Sequence, residues 1–183
     1  MNRKVISVTL LSLLAIAVVL ALLGGGFGSA AAATCTVTLN PGGNIQNAIT
    51  AANSGDVICL NPGLYSPAAR IDITKSVTLQ GPQAGVDPRP GAGTSRTPGN
   101  TSTEAIIDGS GTLATIFRID ADDVVIDGLE VRNGTGDLVE SLLAAPIKYR
   151  PQIAYNIIHA SSGDEGVQIK NATDAVIEFN HVF

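Results

Sequence analysis

An all-β solenoid is the fold this sequence predicts, and three observations predict it. After residue 34 the chain is a succession of short β-branched runs, each closed by Gly, Asn or Asp. One run recurs with matched apolar positions: Ile126-x-Gly128-Leu129-x-Val131, Ile153-x-Tyr155-Asn156-x-Ile158 and Ile177-x-Phe179-Asn180-x-Val182. The last two copies are offset by 24 residues at every matched position. Only one segment after residue 34 has helical spacing, and it precedes nearly all of the strands.

The chain begins with Arg3 and Lys4, an uninterrupted apolar run Val5–Leu23, and a small-residue stretch ending Ala31-Ala32-Ala33. That is the organisation of a secretory signal peptide cleaved before Thr34, which makes the protein exported, to the outside or to the cell surface. An uncleaved anchor is the alternative, because the run is nearly long enough to span a bilayer, and it would be the only membrane contact. Residues 34–183 then form one domain. Loss of residues 1–33 removes two basic groups and no acidic one, so the net charge moves from −5 to −7. Nucleic acid is excluded as a partner, since no Lys/Arg cluster offsets this acidity. Cys35 and Cys59 are the only cysteines and lie in two candidate strands. In an oxidising compartment an even pair reads as a disulfide, the alternative being two buried thiols.

Each element follows from local pattern. In NPGGNIQNAITAANSGD, Ile45, Ala48, Ile49 and Ala52 share one helical stripe, Asn44 is a candidate N-cap and Ser54-Gly55 a stop. The strand runs are DVICLNPGLY, IDITKSVTLQG, EAIIDG, TIFRID, DDVVIDGLEVRNG, PQIAYNIIHA, EGVQIKN and DAVIEFNHV. Val77-x-Leu79-x-Gly81, Ala105-x-Ile107-x-Gly109 and Val124-x-Ile126-x-Gly128 read as weaker repeat copies. A period in the low twenties with two or three strands per period makes coils stacked at about 4.8 Å, and about six coils would fit. Alternation sends Val124, Ile126, Leu129 and Val131 inward and Val125, Asp127, Glu130 and Arg132 outward. Asn156 and Asn180 occupy equivalent bends, where their amides can stack from coil to coil. The helix is placed to cover the open first coil.

The segment NIQNAITAANSGDVICLNPGLYSPAARIDITKSVTLQG, Asn44 to Gly81, resembles the opening of secreted right-handed parallel β-helix proteins of the pectate-lyase-like superfamily. There a capping helix is followed by GD-x-I-x-L-x-P-G-x-Y and I-x-K-x-V-T-L-x-G. Residues Val124 to Val182 are similar to the degenerate repeats of that superfamily. The resemblance implies a right-handed parallel β-helix with an N-terminal capping α-helix. It also implies a protein that binds or processes acidic, uronate-containing polysaccharide, with lyase chemistry as the leading reaction class. A non-enzymatic surface, adhesion or periplasmic accessory scaffold is the alternative. Neither the Gln/Asp/Asp/Arg set of the esterase members nor the Arg-containing signature of the lyases is found, so no catalytic residue is carried over.

Lyases of this kind neutralise a uronate carboxylate with a cation, which the resemblance makes Ca²⁺ on outward carboxylates beside Lys or Arg. The densest acidic cluster is Asp120, Asp122 and Asp123, a candidate Ca²⁺ site that is equally an ordinary Asp-rich turn. Asp164 and Glu165 form a weaker pair with the same alternative. Lys148, Tyr149 and Arg150 are candidate substrate-binding residues in GTGDLVESLLAAPIKYRP, an insertion expected to form a short helix or lateral loop. His159 and His181 have no recognisable acid partner in the sequence. Residues 81–103, rich in Pro, Gly and Thr, read as a long and mobile excursion between coils. Sequons begin at Asn100, Asn133 and Asn171. The chain stops inside the strand AVIEFNHVF, which reads as a cut through a longer solenoid.

Overall fold

The computed structural model describes residues 34–142, 146–163 and 165–183. The signal-peptide reading of residues 1–33, and Asp164, lie outside the described residues. The described residues open with β1 (Val37–Leu39) and hold a single helix, α1 (Ile45–Ala51). The chain then makes repeated circuits of three strands. The first is β2 (Val57–Leu60), β3 (Gly63–Tyr65) and β4 (Ile71–Ile73). The second is β5 (Thr78–Gln80), β6 (Ala105–Asp108) and β7 (Phe117–Ile119). The third is β8 (Val125–Asp127), β9 (Glu130–Arg132) and β10 (Val139–Ser141), with β11 (Lys148–Tyr149) appended. The fourth is β12 (Gln152–Ala154), β13 (Ile157–His159) and β14 (Val167–Ile169), with β15 (Ala172–Thr173). A fifth starts with β16 (Val176–Glu178) and β17 (His181–Val182).

Equivalent strands of successive circuits pair in parallel, giving a first sheet β1-β2-β5-β8-β12-β16, a second β3-β6-β9-β13-β17 and a third β4-β7-β10-β14. A small pair, β11-β15, joins the third sheet to the first. Among the described residues this all-β arrangement of stacked parallel sheets with one short helix is compatible with a parallel β-helix. The matched repeats are adjacent in space: Ile126 pairs Ile153 and Ile153 pairs Ile177, while Val131 pairs Ile158 and Ile158 pairs Val182.

The core is a set of columns that run through the circuits. Ile58, Leu79, Ile126 and Ile153 stack in the first sheet and are fully buried. Tyr65, Ile107, Val131 and Ile158 stack in the second. Each such side chain contributes roughly 1.5–3 kcal/mol through burial. At the bends Asn156 is wholly buried and Asn180 lies below it, their side chains 3.1 Å apart. Asn156 also accepts from Leu129 N–H and donates to the Ile126 and Ala154 carbonyls, so the ladder supplies the backbone groups that the turn leaves unpaired. Where the equivalent bend carries Gly128, a Cβ on the neighbouring Gly81 would lie 2.0 Å from the Gly128 carbonyl oxygen, so only glycine allows the turns to stack this closely.

The helix seals the first circuit. Its Asn44 N-cap accepts from Asn47 N–H at 2.8 Å, and Ile45 and Ile49 bury their side chains. Gln46 then does for β4 what a further strand would do: its amide accepts from Asp72 N–H at 2.7 Å and donates to the Asp72 carbonyl at 3.1 Å. Lys75 donates to the Thr50 and Ala52 carbonyls at the other end of the helix. Cys35 and Cys59 form a disulfide that ties the N-terminal stretch to β2. No helix among the described residues is long and apolar enough to cross a membrane.

Three expectations are corrected. Ala105–Gly109 is not a copy of the first-sheet repeat but part of β6 in the second sheet, because alternation closed by glycine is common to strands of every sheet. The segment expected as a helix or lateral loop holds β10 and β11, and β10 completes the third circuit between β7 and β14. Residues 82–103 are fastened to the outer face rather than loose: Gly85 N–H donates to Asp127, Gly99 N–H to Glu130, and Arg96 pairs with Glu104 at 2.7 Å with both side chains buried.

Candidate functional site

The fastened excursion decides which face stays open. Ile106, Glu130 and Ile157 all point outward from the second sheet, yet each is 0% exposed. The third sheet differs. Ile71, Ile73, Phe117 and Ile119 are inward and buried, so alternation turns Asp72 and Arg118 outward, where both remain partly exposed. Register continues this row through Glu140 to Gln168.

The row is linked by charge. Asp72 Oδ1 accepts from Arg70 Nε at 2.7 Å and forms an ion pair with Arg118, whose Nε lies 3.1 Å away. Arg118 Nε also meets Asp120 Oδ2 at 3.1 Å, and Asp120 Oδ1 lies 3.9 Å from Lys148 Nζ. Arg70, Asp72, Arg118, Asp120 and Lys148 therefore alternate in sign along one line. The hydrogen bond that Arg70 donates to Asp72 holds the guanidinium above its ordinary range against partial desolvation, with Asp72, Glu140 and Asp120 adding attraction.

The two sequence-derived sets meet beside this row. Asp120, Asp122 and Asp123 face Lys148, Tyr149 and Arg150 across one inter-strand step, 27 or 28 residues away in sequence. Lys148 Nζ donates to the Asp120 carbonyl at 3.0 Å, and Tyr149 N–H donates to Asp122 Oδ1 at 2.9 Å. Arg150 makes a two-pronged pair with Asp123 at 2.7 and 2.8 Å. That hydrogen bonding lowers the Asp123 carboxyl below the usual range. The three aspartates thus turn to separate partners, and among the described residues no three His, Cys, Asp or Glu are grouped to hold a metal ion. Tyr149 is exposed, whereas Lys148 is buried.

His159 is corrected: it does have an acid partner. Its Nε2 lies 2.9 Å from Glu130 Oε1, and Glu130 also accepts from Gly99 N–H at 2.7 Å and Arg132 Nη1 at 3.2 Å. Arg132 reaches Asp108 at 2.9 Å. Burial acts to raise the Asp108 carboxyl, but donation from Ser110 N–H, Asn133 and Arg132 outweighs it and the carboxyl is lowered. Glu130 takes both a His159 contact from one circuit and the Gly99 bond from the excursion, so this network works as an anchorage.

Asp72, Arg118 and Glu140 were not singled out by sequence reasoning. The signal was nonetheless present, as the triplets Ile71-Asp72-Ile73, Phe117-Arg118-Ile119 and Val139-Glu140-Ser141, each with its charge between inward residues. What the triplets lack is any mark that they share a sheet.

No family profile, curated protein or solved structure matches the chain.

Proposed function

We propose that this chain is a right-handed, pectate-lyase-like parallel β-helix of an exported protein, and that it binds acidic polysaccharide along the outer face of its third sheet. The hand is the one that connections between parallel strands almost always take. Export is supported by the N-terminal apolar segment and by a disulfide of the kind made in oxidising compartments.

The observation that carries the binding reading is the solvent-reached row Asp72, Arg118, Glu140 and Gln168, flanked by Arg70, Asp120 and Lys148. Three inter-strand steps of about 4.8 Å give it a length of about 14 Å, a track for a linear polymer rather than a pocket for a metabolite. Carboxylates and the Gln168 amide accept from sugar hydroxyls, and a guanidinium suits a uronate carboxylate. Arg118 is shared between two aspartates, so a uronate must compete for it, and binding is expected to be weak and to fall with salt.

Lyase chemistry is the reaction class to test first, with uronans as substrates and with and without added Ca²⁺. Unsaturated products absorbing in the ultraviolet would support it. A non-enzymatic scaffold is the second reading, favoured by one observation: Arg70, Arg118, Lys148 and Arg150 all already face protein carboxylates. Glycan binding without turnover is its expected outcome. Calorimetry with uronans at low salt tests the shared claim: Arg118→Gln should weaken binding about tenfold, and absence of any glycan binding by the unaltered protein would overturn both readings.

A further inference from the structure

Next to the helix the third sheet ends against an open-mouthed cavity of about 400 Å³, lined by residues 42–47 on one side and 65–71 on the other. That volume is in the range of small-ligand sites. Its walls are held before any ligand arrives. Gln46 is fixed by both of its bonds to the Asp72 backbone, and Tyr65, buried behind the opening, shares its one hydroxyl proton between the Leu39 and Asn61 carbonyls, 2.9 and 3.0 Å away. The small side chains of Ala68 and Ala69 leave the space open, and Asn47 and Ser66 offer exposed polar groups at its rim.

Charge and position indicate what it takes. Among the described residues Arg70 is the one charged member of the lining, and none of the lining residues is a carboxylate, although the chain as a whole is acidic. Arg70 is also the first member of the charged row, joined through Asp72 to Arg118. The pair with Asp72 uses its Nε, one of five N–H donors on a guanidinium. Among the described residues the row ends at β4, which is the last strand of the third sheet on that side and has α1 packed against it. A polymer lying on the row meets the helix at that end.

We propose that this cavity binds the terminal uronate unit of a polysaccharide chain, with the sugar carboxylate on Arg70, so that the protein recognises chain ends. This rests on the polysaccharide reading given above. The track along the third sheet holds the units that follow, and the cavity, closed at the helix, admits only a unit with no further neighbour on that side.

The test is calorimetric titration with a size series of 1,4-linked oligouronides, their carboxyl-reduced neutral counterparts, and long uronan with both ends chemically blocked. Ala69→Trp, which fills the cavity, should weaken oligouronide binding about tenfold and leave end-blocked polymer within about twofold. Arg70→Gln should lower the affinity ratio between oligouronides and their neutral counterparts about tenfold, leaving the share that Arg118 supplies. If both variants bind oligouronides as the unaltered protein does while Arg118→Gln weakens binding about tenfold, the track stands and the end site is overturned. If the unaltered protein binds none of the probes, both are overturned. Should Ala69→Trp fail to fold, amide chemical shifts of the unaltered protein with a short oligouronide decide: shifts at Ser66 and Arg70 support the end site, and shifts confined to Arg118 and Glu140 overturn it.

Discussion

Arg96 is the residue whose removal should disturb this chain most sharply at a single point. Its side chain is 1% exposed, and that of Glu104, its partner, is 0% exposed. The guanidinium donates to both Glu104 oxygens, at 2.7 and 3.1 Å, and to the carbonyls of Val86, Leu129 and Tyr155. Leu129 and Tyr155 belong to the first-to-second-sheet bends of two successive circuits, so one side chain pins the excursion over both. Arg96→Met keeps the apolar stem and deletes the charge. It leaves a buried carboxylate without a cation, which costs about 3–5 kcal/mol, a large share of the roughly 5–15 kcal/mol available to a domain. Replacing Glu104 with Leu as well removes the stranded charge and should recover about 2 kcal/mol or more of that loss, since apolar replacement of a whole buried pair is often near neutral. Urea denaturation of the two single variants and the double variant gives the coupling energy directly. Limited proteolysis should show Arg96→Met cut within residues 82–103 before the rest of the domain opens. A single-variant loss below about 1 kcal/mol, or additive singles, would refute the claim that this pair fastens the excursion.

The bend ladder, the disulfide and the buried tyrosine each have a measurable consequence. Asn156→Ala deprives Leu129 N–H and the Ile126 and Ala154 carbonyls of their partner, and denaturation should show a loss of about 3 kcal/mol, more than for Asn180→Ala at the less buried rung. Reduction of Cys35–Cys59, separated by 24 residues, should lower stability by about 3 kcal/mol, read as a fall in thermal midpoint with added thiol. Burial pushes the Tyr65 hydroxyl up to about 12 from 10.0, so the folded state keeps its proton longer than the unfolded chain. Stability should therefore be unaffected by this group below pH 10 and fall by up to about 2 kcal/mol between pH 10 and 12, allowing for solvent at the rim of the cap. Tyr65→Phe should flatten that limb at a cost of about 1 kcal/mol at neutral pH, and an unchanged alkaline limb would count against the assignment.

Local pattern determined a good deal here. Period-two alternation with β-branched residues is enough to specify strands, because each side chain's face is set by the pleat alone. The matched spacing of Ile153 and Ile177 is enough to specify stacking, because a 24-residue offset repeats the same face one layer on. Asn44 and the Ile45/Ile49 stripe specify the helix for the same local reason. The pairing of Cys35 with Cys59 needed only an even count and a compartment. The strands β10 and β11 were less legible, since Val139–Ser141 is a short apolar–charged–small triplet and Lys148–Tyr149 has almost no pattern of its own.

Tertiary structure alone decided which faces are open and which charges meet. Asp120 and Lys148 are 28 residues apart, and only the placement of one circuit over the next brings them to 3.9 Å. Glu130 reads as an outward, solvated residue until the excursion closes over it and buries it completely. The charged row, the cavity beside the helix and the His159–Glu130 pair share that origin. Whether a side chain is inward or outward depends on its own strand, whereas what lies over an outward side chain depends on segments far away in the chain.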